Sequence, residues 1–297
     1  MRGYSEQFEG RFLPITADEI ASHPALQELI RRQSQALLIA YEANPRQSSI
    51  FATQQRWLMG HIGFAVYFNR DAGEPGLLTS RFLDMTQAYA VASRNTADAF
   101  LKELLNYGYI EYCPESDDRR ARPVRPSQST FDAIHGWIMV HLATLDGLDG
   151  GQRLATYLAT SDGMDRIEPL ICEGLLSSQA IREPANTFSL FTWLNNGGII
   201  MERLIVGLED ASSGAEQLST SITSIAEMGL WLQLSRSHLA RKLREAEALG
   251  SIGWRGKRGS SVMWVSRGFL GEIAAAQAAK LAVIDAAYEA SLAPEIG

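Results

Sequence analysis

The chain has 297 residues, a formal net charge of −7 and 46% apolar residues, which is enough for one large domain or two ordinary ones. Its two cysteines, Cys113 and Cys172, lie too far apart in sequence for a zinc motif and are too few for a disulfide framework. No stretch reaches the ~18 to 20 apolar residues of a membrane helix, and the N-terminal residues lack the apolar centre of a signal peptide. We therefore expect a cytoplasmic protein with reduced thiols and no membrane partner.

Helical periodicity dominates the first half of the sequence. Apolar residues recur at three- and four-residue steps, and Asn44-Pro45 and Gly108 mark helix ends. An arginine-rich loop over 115–122 separates two short predicted strands. The predicted elements are, in order, helices over 25–41, 49–69, 79–89 and 93–107, strands over 109–112 and through Val124, and a helix over about 130–145.

The second half repeats this order. An offset of 142 residues relates equivalent positions, and a glycine-rich stretch over 147–151 separates the two copies. We therefore predict two domains, 1–147 and 152–297. The offset relates Ser93 to Ser235, Ala97 to Leu239, Leu101 to Leu243, Gly108 to Gly250 and Ile110 to Ile252.

The segment from Ser235 to Gly268 is strongly basic. A predicted helix that starts at Ser235 is followed by two short strands whose turn carries Lys257 and Arg258, the pattern of a winged helix-turn-helix. The segment holds eight cations and two acids, a net charge of +6, so the rest of the chain sums to −13. This distribution fits a local phosphate-binding surface; it equally fits a solvated helix face with a charged hairpin tip.

The loop of the first copy resembles the wing of the MarR family of bacterial transcription regulators, which reads roughly D-x-R-x-x-x-V-x-L-T. Asp118, Arg120 and Val124 match this pattern, whereas Pro126 replaces leucine and Ser127 replaces threonine. The resemblance spans roughly 57–145 and, more weakly, the second copy. It implies homodimers of half-length chains in ordinary members, and so an intrachain pseudo-dimer here, alone or paired further as a homodimer.

The fold expected from the repeat and the resemblance is mainly α (α+β). It consists of two tandem winged helix-turn-helix domains with long flanking helices. The resemblance places the starts of the two recognition helices at Ser93 and Ser235. It implies that Arg120 enters the minor groove. Lys257 and Arg258 are assigned to the second wing by location. The resulting DNA-binding candidates are Thr79, Ser93, Arg94, Asn95, Thr96, Arg119, Arg120, Arg122, Arg125, Ser235, Arg236, Ser237, His238, Arg241, Lys242, Arg255, Lys257 and Arg258.

Catalytic and metal-binding motifs are missing from the sequence. The five histidines show no H-x-x-x-H or H-E-x-x-H spacing, and no phosphate loop, dinucleotide motif or nucleophile elbow is present. We therefore expect no enzyme activity, no cofactor and no metal. Cys113 ends a predicted strand, where it is either a redox-sensing thiol or a small strand residue.

Aromatic side chains cluster on the helices that precede each predicted DNA-binding unit. MarR-like regulators bind small aromatic acids near such helices, so the resemblance implies an effector pocket with Arg56 or His61 as the carboxylate partner. Trp57 and Tyr67 are the aromatic candidates. The same stripes also fit an ordinary apolar core.

Two functions remain open at this point. The first is a sequence-specific DNA-binding transcriptional regulator of the repressor type, as the resemblance implies, which reads double-stranded DNA at two half-sites and is released by a small aromatic ligand. The second is a tandem winged-helix protein-interaction factor that binds no specific DNA. The basic second copy and the arginine-rich first loop favour DNA. The acidic total and the neutral first copy favour a protein partner.

Overall fold

The computed structural model describes residues 14–71, 73–114, 122–184, 186–209 and 214–292. Within these ranges the chain is mainly helical and carries two small antiparallel sheets, which confirms the predicted mainly α class. None of the described helices combines the length and apolar character needed to cross a membrane.

The N-terminal half contains seven helices and two strands among its described residues. They are α1 (Ala17–Ser22), α2 (Leu26–Ala43), α3 (Pro45–Ile50), α4 (Gln54–Phe68), α5 (Thr79–Ala88), α6 (Arg94–Asn106), β1 (Ile110–Tyr112), β2 (Val124–Pro126) and α7 (Gln128–Asp149).

The C-terminal half has eight helices and three strands over its described ranges. They are α8 (Arg153–Ala159), α9 (Gly163–Ser177), α10 (Gln179–Arg182), α11 (Asn186–Thr192), α12 (Gly197–Val206), β3 (Gln217–Ser219), α13 (Ile225–Trp231), α14 (Arg236–Ala248), β4 (Ile252–Trp254), β5 (Met263–Ser266) and α15 (Arg267–Ser291).

Two predicted helix bounds in the N-terminal half were wrong. The helix expected over 49–69 is broken after α3, because the Thr53 side chain caps a new helix by accepting a hydrogen bond from the N–H of Arg56 at 3.4 Å. The helix expected to end near residue 145 continues through Gly147. The Leu29 side chain of α2 packs closely against Gly147, where a Cβ atom would stand, and α7 ends only at Gly150 with φ 76°.

Residues 79–126 and 225–266, hereafter the first and second units, are built alike. In each, a serine caps the second helix, as Ser93 caps α6 and Ser235 caps α14, by accepting from the N–H three residues later. Each second helix ends at a glycine in the left-handed region, Gly108 with φ 71° and Gly250 with φ 70°. These four positions are the ones that the 142-residue offset relates.

A small sheet closes each unit. In the first unit β1 pairs antiparallel with β2, and Leu77 adds a bridge to Val124. In the second unit β5 lies between β3 and β4. Both hairpins were predicted, whereas β3 was not, because its three residues are too short to show an alternating pattern.

The two halves interlock through their long helices. α4 of the N-terminal half packs against α9 of the C-terminal half, and α12 packs reciprocally against α2. Ile62 on α4 and Ile171 on α9 are both completely buried, as is Leu204 on α12. Each half therefore covers an apolar helix face that belongs to the other half.

A buried ion-pair network fastens the junction between the halves. Arg153, which is 6% exposed, donates to Asp285 at 2.6 Å and to both oxygens of Asp149 at 2.8 Å. Asp285 on α15 also accepts from the backbone N–H of Ile15 at 2.7 Å. The junction, the last helix and the start of the described chain are thus held together.

Candidate functional site

The outer face of α14 carries three exposed arginines, Arg236, Arg241 and Arg244. The opposite face is fixed by Leu239 and Leu243, which are completely buried. None of the three arginines forms an ion pair within the described part of the chain. The helix therefore presents free guanidinium groups to solvent, which are suited to bidentate contacts with phosphate oxygens.

The other predicted DNA-binding residues at the start of α14 lie where an incoming partner can reach them. Ser235 and Ser237 are exposed and His238 is half-buried. Lys242 instead pairs with Glu245 at 3.1 Å on the same helix.

The β4–β5 hairpin holds its cations in three different ways. Arg255 donates to the backbone oxygen of Gln217 at 2.7 Å, so it lies against β3. Arg258 pairs with Glu247 of α14 at 2.7 Å. Lys257 at the tip is exposed and makes no ion pair among the described residues. Of the three predicted hairpin cations, Lys257 is thus the one already available for an anionic partner.

The first unit has a different electrostatic character. Arg94 pairs with Asp84 at 2.7 Å, and Lys102 pairs with Asp98 at 2.6 Å. Asn95 is exposed at the start of α6. The two cations of this helix are therefore neutralised within the unit. Ser93 and Thr96 are also exposed, and Thr79 begins α5 in a half-buried position.

Part of the first hairpin lies outside the described residues. This applies to Asp118 and Arg120, two of the three residues that match the MarR-like pattern, and to Arg119 between them. Arg122 is exposed, with its guanidinium carbon 5.6 Å from the centre of the Tyr112 ring. Arg125 pairs with Glu111 at 2.8 Å across β1 and β2.

A cavity of about 820 Å³ lies between the two halves. It is bounded by α2, α4 and α7 from the N-terminal half and by α11, α12 and α15 from the C-terminal half. Its walls are mostly apolar and rich in aromatic rings, and its volume is typical of small-molecule sites. The largest aromatic side chains in the lining are Tyr41, Phe51, Trp57, Phe64, Trp137 and Phe188.

Two of the four predicted effector-pocket residues, Trp57 and His61, line this cavity. Arg56 does not, because its guanidinium is engaged by the carboxylate of Glu103 and the backbone oxygen of Ile50. Tyr67 instead packs in a separate aromatic cluster with Phe68 and Phe131. The expected carboxylate partner Arg56 is therefore already paired elsewhere.

His61 is also committed to a protein partner. Its Nδ1 atom lies 2.6 Å from Glu168 Oε1, and both side chains are at most 2% exposed. Its ring makes edge contacts with Trp57 and Trp137, with centroid distances of 4.9 and 5.0 Å. This pair connects α4 to α9 across the two halves.

Lys280 on α15 is the cation that the cavity does contain. Protein atoms surround it, although part of its surface stays open to the cavity, and burial lowers its pKa from 10.5 to about 8. Its Nζ makes no hydrogen bond or ion pair among the described residues and lies 5.9 Å from the centre of the Trp137 ring. An ammonium group thus faces a mostly apolar space, and Glu202 is the acidic side chain whose charge acts on it.

Two further polar side chains share the cavity wall with Lys280. Gln277, one helical turn earlier, accepts from Gln33 Nε2 at 3.0 Å, which leaves its own amide N–H groups as donors. Glu202 on α12 is 6% exposed, and burial raises its pKa, an effect that the charge of Lys280 opposes. The wall therefore presents an ammonium group, an amide and a carboxyl group whose pKa is raised by burial.

Sequence reasoning missed Lys280 and Glu202. The available signal was Lys280 itself, the one charged residue between Glu272 and Asp285 in an alanine-rich helix. A single charge within a buried helix face is a cue for an internal site.

Thiol chemistry and metal binding gain no support from the described residues. Cys113 is buried, and its Sγ lies 3.1 Å from the backbone oxygen of Pro75 as a hydrogen-bond donor. Burial raises the pKa of Cys172. Among the described side chains, no group of three His, Cys, Asp or Glu residues is placed to hold a metal ion.

No protein-family model, curated protein or solved structure matches the chain.

Proposed function

We propose that the chain is a sequence-specific DNA-binding regulator with two winged helix-turn-helix units joined as a pseudo-dimer. In this proposal α6 and α14 are the recognition helices, and each hairpin is the wing that touches the DNA backbone. The observation that carries the proposal is the outer face of α14, where Arg236, Arg241 and Arg244 are exposed and have no ion-pair partner within the described chain.

Charge divides the proposed roles between the two units. Free arginines on α14 supply phosphate contacts and hence salt-dependent affinity. On α6 the exposed polar residues Asn95 and Thr96 supply base or phosphate contacts at lower affinity, since Arg94 and Lys102 are paired. The resemblance of the loop around Arg120 to the MarR wing supports the same role for the first hairpin. The two half-sites would then differ in sequence, because the two helices differ.

The proposed regulation uses the central cavity. A small aromatic molecule bound there contacts helices from both halves, and it changes DNA occupancy if its affinity differs between conformations in which α6 and α14 are spaced differently.

A protein-interaction module is the second candidate function. It is favoured by the neutral first unit, in which four of the five described cations, Arg81, Arg94, Lys102 and Arg125, each pair with a carboxylate, and the fifth, Arg122, lies over the Tyr112 ring. A surface of this kind binds phosphate poorly and suits a mixed polar protein partner.

Fluorescence anisotropy on duplex DNA across a salt series tests the proposal. The variant Arg241→Gln with Arg244→Gln removes two proposed phosphate contacts, so the slope of log affinity against log salt should fall by about 1.8. The matched control, Arg31→Gln with Arg32→Gln on α2, removes the same charge and should leave the slope unchanged. DNA binding that is absent at low salt, or equally weakened by both pairs, would favour the protein-interaction function.

A further inference from the structure

One primary amine faces the central cavity. Lys280 is the one lysine among the described residues that line this space, and its Nζ lies 5.9 Å from the centre of the Trp137 ring. Burial lowers the pKa of this ammonium group to about 8, although the charge of Glu202 opposes the shift. At about pH 8 a large share of Lys280 is therefore a neutral amine. A neutral amine keeps its lone pair, so a desolvated lysine of this kind attacks carbonyl carbons.

The carboxyl group that such a reaction needs faces the same space from α12. Glu202 is 6% exposed, lines the cavity and interacts electrostatically with Lys280. A protonated carboxyl group can donate a proton to a departing oxygen, and an ionised one can balance the positive charge of a protonated imine. Glu202 is thus placed to act as the counter-charge of a nitrogen cation at Lys280, whether that cation is the ammonium group or an iminium group.

A hydrogen-bond donor for a carbonyl oxygen lies one turn earlier on α15. Gln277 lines the cavity, and its side-chain oxygen accepts from Gln33 Nε2 at 3.0 Å, so its own amide N–H groups remain as donors. A donor beside the amine polarises a carbonyl group and stabilises the negative charge that develops on its oxygen during attack. The amine, the carboxyl group and the amide therefore supply the three groups that imine formation uses.

The rest of the wall selects the kind of carbonyl compound. The described lining is mostly apolar and holds no arginine and no second lysine. A ligand with a phosphate or carboxylate besides its carbonyl group would bury that charge without a partner, which is costly. The cavity of about 820 Å³ admits an apolar body larger than a single ring. Among carbonyl compounds, this wall therefore suits an uncharged, apolar aldehyde.

Imine formation needs no reactant besides the aldehyde. The neutral Nζ of Lys280 attacks the carbonyl carbon and forms a carbinolamine, in which the former carbonyl oxygen is a hydroxyl group. That hydroxyl group leaves as water while the C=N double bond forms, so the water takes its oxygen from the aldehyde and its two hydrogens from the amine. No atom is oxidised or reduced. A proton added to the imine nitrogen gives the iminium cation that faces Glu202.

We infer that Lys280 is a covalent binding site for an uncharged, apolar aldehyde, which the central cavity holds as a reversible imine with Glu202 as its counter-charge. This site lies outside the proposed DNA-binding function and does not depend on it, because the adduct is detected on the protein without DNA.

Reductive trapping on the full chain tests the site. The protein is incubated at about pH 8 with 2-naphthaldehyde and cyanoborohydride, which converts the imine into a stable amine, and the labelled lysines are located by peptide mass spectrometry. The sequence has four lysines, so each can be followed separately. Lys280 should carry at least about 10-fold more adduct than the exposed Lys102, because binding in the cavity holds the aldehyde beside the amine. An excess of 2-naphthylmethanol, which has the same body but forms no imine, should reduce labelling at Lys280 and leave Lys102 unchanged.

Variants separate the amine from the counter-charge. Lys280→Arg keeps the positive charge but has no primary amine, so the cavity adduct should be lost, and Lys280→Met should lose it as well. Lys102→Met is the matched control and should label at Lys280 as the wild type does. Glu202→Gln keeps the size of the side chain and removes its charge, so the unreduced adduct should show less of the long-wavelength absorption of the protonated imine. Circular dichroism shows that each variant is folded.

Equal labelling of Lys280 and Lys102 in the wild type, or no labelling at Lys280, would overturn the inference. Labelling at Lys280 that the alcohol does not reduce would do so as well, because the aldehyde would then react without occupying the cavity. An absorption spectrum that Glu202→Gln leaves unchanged would overturn the role assigned to Glu202.

Discussion

Replacing Lys280 by methionine should make the protein more stable near neutral pH. Methionine has similar length and fills the same space, but it carries no charge into the apolar cavity. The wild type bears the cost of burying an ammonium group, which the interaction with Glu202 offsets only in part. Removing that charge removes the cost, so the variant should gain stability.

The pKa of Lys280 gives the size and the pH range of this effect. The pKa falls from 10.5 in the unfolded chain to about 8 in the fold, and at about 1.36 kcal/mol per pH unit the difference corresponds to about 3 kcal/mol. Because part of the side chain stays open to the cavity, we expect a gain of about 1 to 2 kcal/mol. Between the two pKa values the unfolded state binds more protons, so wild-type stability rises with pH relative to the variant.

Urea unfolding followed by circular dichroism at about pH 7.5 and about pH 10 measures both parts of this prediction. The advantage of Lys280→Met should be largest at the lower pH and should shrink as Lys280 of the wild type loses its proton. Glu202 and His141, which face Lys280 from α12 and α7, are present in both proteins. Lys102→Met should change stability by less than about 0.5 kcal/mol. A Lys280→Met variant that is less stable than the wild type, or an advantage independent of pH, would refute the reasoning.

Three further substitutions test the fold. Arg153→Met leaves the completely buried Asp285 without its ion-pair partner, so the free energy of unfolding in urea should fall by about 3 to 5 kcal/mol; recovery is expected when Asp285→Leu is added, and a single variant as stable as the wild type would contradict this role. Gly250→Ala should cost about 1 kcal/mol, because φ 70° disfavours a side chain although there is room for a Cβ atom. Gly271→Ala, in the exposed interior of α15, should instead stabilise by up to about 1 kcal/mol; thermal unfolding that shows the same sign for both would contradict the backbone argument.

Local signals in the sequence were sufficient to predict the helices and the hairpin of both units. A serine cap, a repeated apolar face and a left-handed glycine depend on a few neighbouring residues, so Ser93, Ser235, Gly108 and Gly250 could be placed from spacing alone. The same local reasoning failed at Gly147. Glycine usually marks a linker, but here the helix continues through Gly147 to Asp149, and Leu29 of α2 packs against the glycine.

The cavity could not be predicted because it depends on contacts between distant parts of the chain. Glu202 and Lys280 face one space only because α12 and α15 pack around helices of the other half. The helix pattern put Arg56 among the pocket candidates, yet its ion pair with Glu103 depends on how α4 meets α6. Sequence identified the aromatic helices, whereas tertiary packing decided which cation reaches the cavity.

Divergence between the two halves has concentrated free positive charge in the second. α6 and α14 share their caps and apolar faces, but the cations of α6 are paired and three arginines of α14 are not. His141 lies fourteen residues after the N-cap of α7 and packs against Trp137. Lys280 lies fourteen residues after the N-cap of α15 and faces the cavity. α15 begins directly after β5, the central strand of the second unit. One sheet therefore connects α14, which precedes β4, to α15, which follows β5, so the helix with the unpaired arginines and the helix with Lys280 are joined through the β4–β5 hairpin.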